Sequence, residues 1–312
     1  MRQKLKKLTG ILLSVTLLLA GCAQPAASPD SGENTVNIVA TTTMLADLSA
    51  VIGGSHVTVN GLMGPGIDPH LYQASAGDVT LMQKSDVIVY NGLHLEGKMG
   101  EVLESLSEQG HSVICIEEGL DEAKLLEWAG GGSVHDPHIW FDVALWMDAA
   151  RVVSEGLSKA DPQNAADYEA NLEAYLKELE ELDAYIRQRT AELPENQRVL
   201  VTAHDAFSYF GNAYGFEVRG LQGISTDAEA GTADVSALAD YIVESQIKAI
   251  FVESSVPPKT IEALQAAVKA RGFEVAIGGE LYSDSLGGKD SGAESYILTF
   301  KANIDTIVNA IK

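Results

Sequence analysis

Apolar positions along this chain follow two rhythms. From about residue 35 onward, short apolar runs alternate with stretches in which apolar residues return every third or fourth position, the pattern of parallel strands joined by crossover helices. In the first half, Val36 to Ala40, Val57 to Leu62, Val87 to Tyr90 and Val113 to Ile116 predict strands, with helices at Met44 to Ile52, Ala76 to Lys84 and Lys98 to Gln109. Ser75 and Asp78 make a capping box ahead of the second of these helices. The second half repeats the plan. Strands are predicted at Val199 to Thr202, Glu217 to Leu221, Ala249 to Val252 and Glu274 to Ile277, and helices at Ala206 to Tyr214, Val235 to Ser245, Pro258 to Ala270 and Ser295 to Ile311.

Between the halves, Asp161 to Pro194 has neither Gly nor Pro in its interior beyond Pro162. Tyr168, Leu172, Tyr175, Leu179, Leu182 and Ile186 recur at alternating four- and three-residue steps, which lines them up on one stripe of a helix. Asp161 reads as its N-cap, Pro162 as its first residue and Pro194 as its stop. The expected fold class is therefore α/β, with two lobes, each a mostly parallel four-stranded sheet flanked by helices, joined by one long rigid helix. The expected division is an N-terminal lobe at 35–160, a linking helix at 161–194 and a C-terminal lobe at 195–312.

The N-terminal segment is set apart by its composition. Arg2, Lys4, Lys6 and Lys7 precede an apolar run from Ile11 to Ala20, as in a secretory signal, and the run is too short to span a bilayer comfortably. Leu19-Ala20-Gly21-Cys22 resembles the bacterial lipobox, which implies a signal peptide at 1–21, a lipidated Cys22 and a membrane-tethered product. Residues 22–34, rich in Pro, Ser, Ala and Gly, then read as a flexible tether. Cys115 is left without a partner, and its apolar run makes it a buried strand residue. Removing the signal leaves 17 basic against 44 acidic residues, a net −27, which argues against nucleic acid or anionic lipid as a partner.

Open parallel sheets bind ligands beyond the carboxyl ends of their strands, so residues just after strands are the candidates. His70 lies in Gly66-Ile67-Asp68-Pro69-His70, His138 in His135-Asp136-Pro137-His138-Ile139-Trp140, His204 in Val201-Thr202-Ala203-His204-Asp205, and Asp284 in Gly279-Glu280-Leu281-Tyr282-Ser283-Asp284. Each lobe contributes two. Three imidazoles and a carboxylate suit a divalent transition metal. Separations of 66 to 80 residues fit no local metal motif, however, and by themselves leave a structural or surface role open for each.

Together these segments resemble the metal-binding solute receptors of bacterial manganese/zinc ABC transporters, the cluster A-I family. Asp-Pro-His at 68 to 70, His-Asp-Pro-His-Ile-Trp at 135 to 140, Thr-Ala-His-Asp-Ala-Phe at 202 to 207 and Gly-Gly-Glu-Leu-Tyr-Ser-Asp at 278 to 284 occur in order around the long helix. Leu221 to Thr226 and Phe251 to Ser255 extend the likeness, which covers about residues 35 to 312. The resemblance implies one rigid helix between two lobes and a metal held between them by His70, His138, His204 and Asp284. Asp68, Asp136 and Glu253 are candidates to support these ligands, Asp68 and Asp136 also being ordinary turn residues. His135 is a further candidate ligand that the resembling motif does not match. His56, His94 and His111 read as strand-edge or surface residues, and Trp140, Phe141, Tyr209 and Phe210 as packing around the site.

The implied function is that of a non-catalytic, monomeric, lipid-anchored receptor on the extracytoplasmic face of a Gram-positive membrane. It would pass Mn2+ or Zn2+, as transported ligand, to an ABC permease and its ATPase. Nitrogen-rich donors favour zinc on affinity. The chain lacks the His-rich loop of many zinc importers, since residues 121 to 137 hold only His135, whereas many manganese receptors have Glu where His204 stands. Manganese is favoured, with zinc a close rival. The single connector implies a small closure on binding, and neutral imidazoles imply weaker binding below about pH 6.5. The rival functions are a metallohydrolase with Glu253 as base and a surface adhesin.

Overall fold

The computed structural model describes residues 35–128 and 135–312. The signal peptide, Cys22 and the tether lie outside the described residues. The first lobe is a parallel sheet of β1 (Val36–Ala40), β2 (Val57–Gly61), β3 (Val87–Tyr90) and β4 (Ser112–Cys115), in the order β2-β1-β3-β4. Helices α1 (Thr43–Gly53), α2 (Ala76–Lys84) and α3 (Gly100–Glu108) make its crossovers. The capping box at Ser75 and Asp78 is present, and Cys115 is buried in β4.

The second lobe has β5 (Val199–His204), β6 (Glu217–Gln222), β7 (Ala249–Glu253) and β8 (Ala276–Leu281), with α6 (Ser208–Tyr214), α7 (Thr232–Glu244), α8 (Lys259–Ala270) and α9 (Tyr296–Ile311). Where one four-stranded sheet is expected, its four strands form two parallel pairs, β5 with β6 and β7 with β8, with β5 alongside β7. Two boundaries move with consequences. Strand β5 runs on through Ala203 to His204, so His204 ends a strand instead of following one. Strand β8 begins at Ala276, two residues later than its apolar pattern suggests.

Between β4 and β5 the chain forms two long helices. The first, α4 (Val143–Ala160), was not expected, yet its sequence carries the signals: Asp142 caps Ala144 N–H, and Val143, Trp146, Ala149, Ala150, Val153 and Leu157 form a buried stripe. The second, α5 (Ala165–Thr190), is the expected spine, 26 residues and about 39 Å long. Tyr168, Tyr175, Leu179, Leu182 and Ile186 are buried along it as their spacing predicts. Its start differs. Pro162 opens a short 3-10 turn, and the Asp161 carboxylate, instead of capping, accepts hydrogen bonds from Tyr168 Oη and Asn164 Nδ2, both at 2.7 Å.

The stripe of α5 belongs to a core that both lobes share. Ile38 and Leu45 of the first lobe, Leu179 and Leu182 of the spine, and Leu200, Phe207 and Phe300 of the second pack in one continuous cluster. Smaller clusters belong to one lobe each, around Met63, Met82 and Ile88 in the first and around Val201, Ile242 and Leu264 in the second. The lobes are therefore joined by one core, and core residues such as Ile139, Trp140, Ala206 and Leu286 flank the ligand-bearing segments.

Candidate metal centre

His70 sits in the loop after β2, which Gly66 turns at a φ of +75°, a left-handed conformation that a side chain would strain. Gly66 N–H donates to Ser285 Oγ of the opposite lobe at 2.8 Å. His138 precedes a 3-10 turn, Ile139–Phe141, that leads into α4. His204 ends β5, and Asp284 lies three residues past the end of β8. All four are buried, at most 4% exposed.

One ligand atom from each of His70, His138, His204 and Asp284 lies within 4.8 Å of all the others. His70 Nε2 is 3.3 Å from His138 Nε2; Asp284 Oδ1 is 3.5 Å from His138 Nε2, and its Oδ2 is 3.4 Å from His204 Nε2. A tetrahedron about a zinc ion with bonds of about 2.0–2.1 Å has edges of about 3.3–3.4 Å, so these three separations are near those of neighbouring ligands on one ion. Both Asp284 oxygens face the cluster, which gives it a possible fifth donor. Oδ1 has no hydrogen-bond donor, whereas Oδ2 accepts from Ser255 Oγ at 3.0 Å.

Outside the ligand atoms, carboxylates face two of the rings. Asp136 Oδ1 accepts from the His138 backbone N–H at 2.9 Å and lies 2.7 Å from its Nδ1, so this residue makes the turn and orients the imidazole together. Glu253, which ends β7, accepts the His204 backbone N–H at Oε1, 2.9 Å away, and brings Oε2 to 2.6 Å from His204 Nδ1. Asp68 makes its turn by accepting the His70 backbone N–H at 2.9 Å, but its second oxygen goes to Thr226 Oγ1 at 2.6 Å instead of to an imidazole.

The charges divide unevenly. Burial takes His70 down to about 3, against the pull of Asp284, so its ring is a neutral donor across the physiological range. Burial lowers His204 as well, but Glu253 and then Asp284 outweigh it and hold that ring well above the ordinary value. Asp284 would be raised by burial alone; foremost the charge and hydrogen bond of His204 hold it below the usual carboxylate range.

The remaining sequence candidates fall elsewhere. His135 is outside the cluster, 3.6 Å from Glu122 and bridged through its backbone to Glu127. His56 pairs with Asp167 on α5 at 2.9 Å. Trp140 packs its ring 5.2 Å from that of His138 and donates to Ser283 O at 2.9 Å, Phe141 packs on Trp140 and Tyr209 Oη donates to Asp136 O, whereas Phe210 packs against Tyr214 and Phe216. Sequence reasoning missed Ser255, Thr226 and Glu96. Glu96 is buried beyond the carboxyl ends of the two central strands, β1 and β3, where it accepts from Thr41 Oγ1 at 2.7 Å and from Asn91 N–H at 2.9 Å. Asn91 Nδ2 in turn donates to Pro137 O, 3.1 Å away, beside His138. No periodicity announces such partners, because each acts across a large sequence gap.

Residues 38–310 match the family described as zinc-uptake complex component A, periplasmic. The chain is 47% identical over 305 residues to the manganese-binding lipoprotein MntA of Bacillus subtilis, covering 98% of this chain and 99% of that one. It is 45% identical to the zinc-binding protein TroA of Treponema pallidum, over 94% of this chain and 95% of the relative. A solved structure of TroA from that organism superposes with a TM-score of 0.86 at 46% identity, covering 89% of this chain and 99% of its own. On this match in sequence and fold, the chain belongs to the zinc-uptake complex component A family.

Proposed function

We propose that this protein is a non-catalytic, monomeric receptor that holds one divalent transition metal ion between its lobes and delivers it to an ABC permease and its ATPase. His70, His138, His204 and Asp284 are the ligands, and Asp136 and Glu253 orient two of them. A lipid on Cys22 tethers the receptor to the extracytoplasmic face of the membrane, with 22–34 as tether and lobes at 35–160 and 195–312 about the link at 161–194. Among the described residues no helix is long and apolar enough to cross a membrane.

The observation that carries this reading is the convergence of three imidazole Nε2 atoms and one carboxylate in a water-poor pocket, two donors from each lobe. An ion there is held by both lobes together and stabilises the closed arrangement by its differential affinity. Manganese is the favoured cargo and zinc the close rival. The second Asp284 oxygen and the relative named as manganese-binding support manganese, while the three nitrogens bind zinc more tightly on the Irving–Williams order. The hydrolase alternative is weakened by Glu253, whose carboxylate faces Nδ1 of His204, away from the ring nitrogen in the cluster, and is not placed beside an open position for water.

The test is calorimetric. Metal-free protein is titrated with Mn2+ and with Zn2+ separately, and with Mn2+ after zinc loading. One-to-one binding of both, with zinc not displaced, is expected, and availability would then select manganese. Binding of neither metal would overturn the reading, and turnover of simple esters lost in His204→Ala would favour the hydrolase.

A further inference from the structure

How an ion gets in and out of this pocket is constrained by the core. The lobes share a continuous apolar cluster along α5, and they are joined again where Tyr296 Oη donates to Trp140 O in a buried bond of 2.7 Å and Tyr296 N–H donates to the half-buried Asp47 at 3.0 Å. Swinging the lobes apart would expose that core, at roughly 25 cal/mol for each Å² of apolar surface. Exchange must instead depend on the loops that close over the ligands.

Two such loops are tied across the lobes. Asp68 accepts the backbone N–H of the ligand His70 at one oxygen and the hydroxyl of Thr226, from the loop after β6, at the other. Thr226 is buried, and its 2.6 Å bond to a carboxylate is of the strong, charge-assisted kind. The next residue, Asp227, pairs with Lys98 of the first lobe at 2.8 Å, and Gln222 Nε2 bonds Ala228 O at the base of the same loop. These two cross-lobe contacts come from adjacent residues of the loop after β6, while Gly66 N–H to Ser285 Oγ ties the start of the His70 loop separately. The one on Thr226 ends, through a single carboxylate, on the backbone of a metal ligand.

We propose that Asp68 and Thr226, backed by Lys98 and Asp227, form a latch that sets how long the metal stays, without touching it. This rests on the receptor reading above. Thr226 and Asp68 are positioning residues: the latch holds the His70 loop down when the lobes are joined, and opening it frees His70 first, leaving the other three ligands in place.

The experiment is stopped-flow release of Co2+ and of Zn2+ from the full protein into excess chelator. Thr226→Val, which keeps the volume and removes the hydroxyl, is expected to speed release about tenfold, the loss of one hydrogen bond to a charged group. Thr226→Ser should restore the wild-type rate, and the visible absorption of bound Co2+ should be the same in all three, because the ligands are unchanged. Lys98→Asp and Asp227→Lys should each speed release about two- to threefold and the double reversal should recover it, the smaller effect of an exposed pair. An unchanged release rate in Thr226→Val, or an altered Co2+ spectrum, would overturn the latch while leaving the receptor intact. A wild-type protein that takes up neither metal would overturn the receptor reading and the latch with it.

Discussion

Glu253 grips His204 twice, with Oε1 on the backbone N–H at 2.9 Å and Oε2 at 2.6 Å from Nδ1. Against the opposing effect of burial, Glu253 and then Asp284 favour the protonated form of the metal-free ring, and an ion binding at Nε2 displaces the proton held there. Uptake is expected to release about one proton from this site at pH 7, and affinity to rise about tenfold per pH unit up to the metal-free pKa of His204. The sign follows from the bound state holding fewer protons than the free one. The dependence therefore continues above the pH 6.5 expected for ordinary imidazoles. Calorimetry in two buffers of different ionisation enthalpy counts the protons; a count of zero would refute the assignment.

Asp136→Asn keeps the turn acceptor but removes the charge beside His138 Nδ1. Metal affinity is expected to fall about 10- to 100-fold, the usual cost of losing a carboxylate behind a ligating histidine, with little change in the thermal midpoint of the metal-free protein. Competition against a chromogenic chelator measures the first quantity and a melting curve the second. An unaltered affinity would make Asp136 a turn residue only.

Because one core joins the lobes, metal-free and metal-loaded protein should have the same radius of gyration in solution scattering. Thermal unfolding of the metal-free form should be a single cooperative transition. Two resolved transitions, or a clear contraction on loading, would show lobes that move independently. Leu182→Ala, at the centre of the shared stripe, should lower stability by about 2–5 kcal/mol.

Gly220 has no room for a side chain. A Cβ there would come within 2.4 Å of Asp205 N and 2.7 Å of His204 C, both backbone atoms, where β6 pairs with β5. Gly220→Ala is expected to cost about 1–3 kcal/mol by overpacking and to weaken metal binding by shifting His204. Denaturant melts and a metal titration of the same variant should move together; a loss of stability with unchanged affinity would mean that β6 yields instead of β5.

The periodicity of the chain by itself determined the alternating strands and helices and the buried stripe Tyr168 to Ile186, because burying one face demands a repeat of 3.6 or 2 whatever surrounds it. Its motifs also named the four residues that meet in the pocket, but as a family likeness; spacings of 66 to 80 residues carry no geometry. Helix α4 carries the same signals, an Asp142 cap and a buried stripe from Val143 to Leu157, yet is absent from the expected elements. What only the tertiary structure decided is contact between distant segments. It brought Asp284 to His204, set Glu253 against one ring and Asp136 against another, and turned the second oxygen of Asp68 to Thr226, 158 residues away. It also made one core of two lobes. Local preferences reach a few residues along the chain, whereas the charge on His204 and the closing of the loops depend on groups that only folding brings within hydrogen-bond distance.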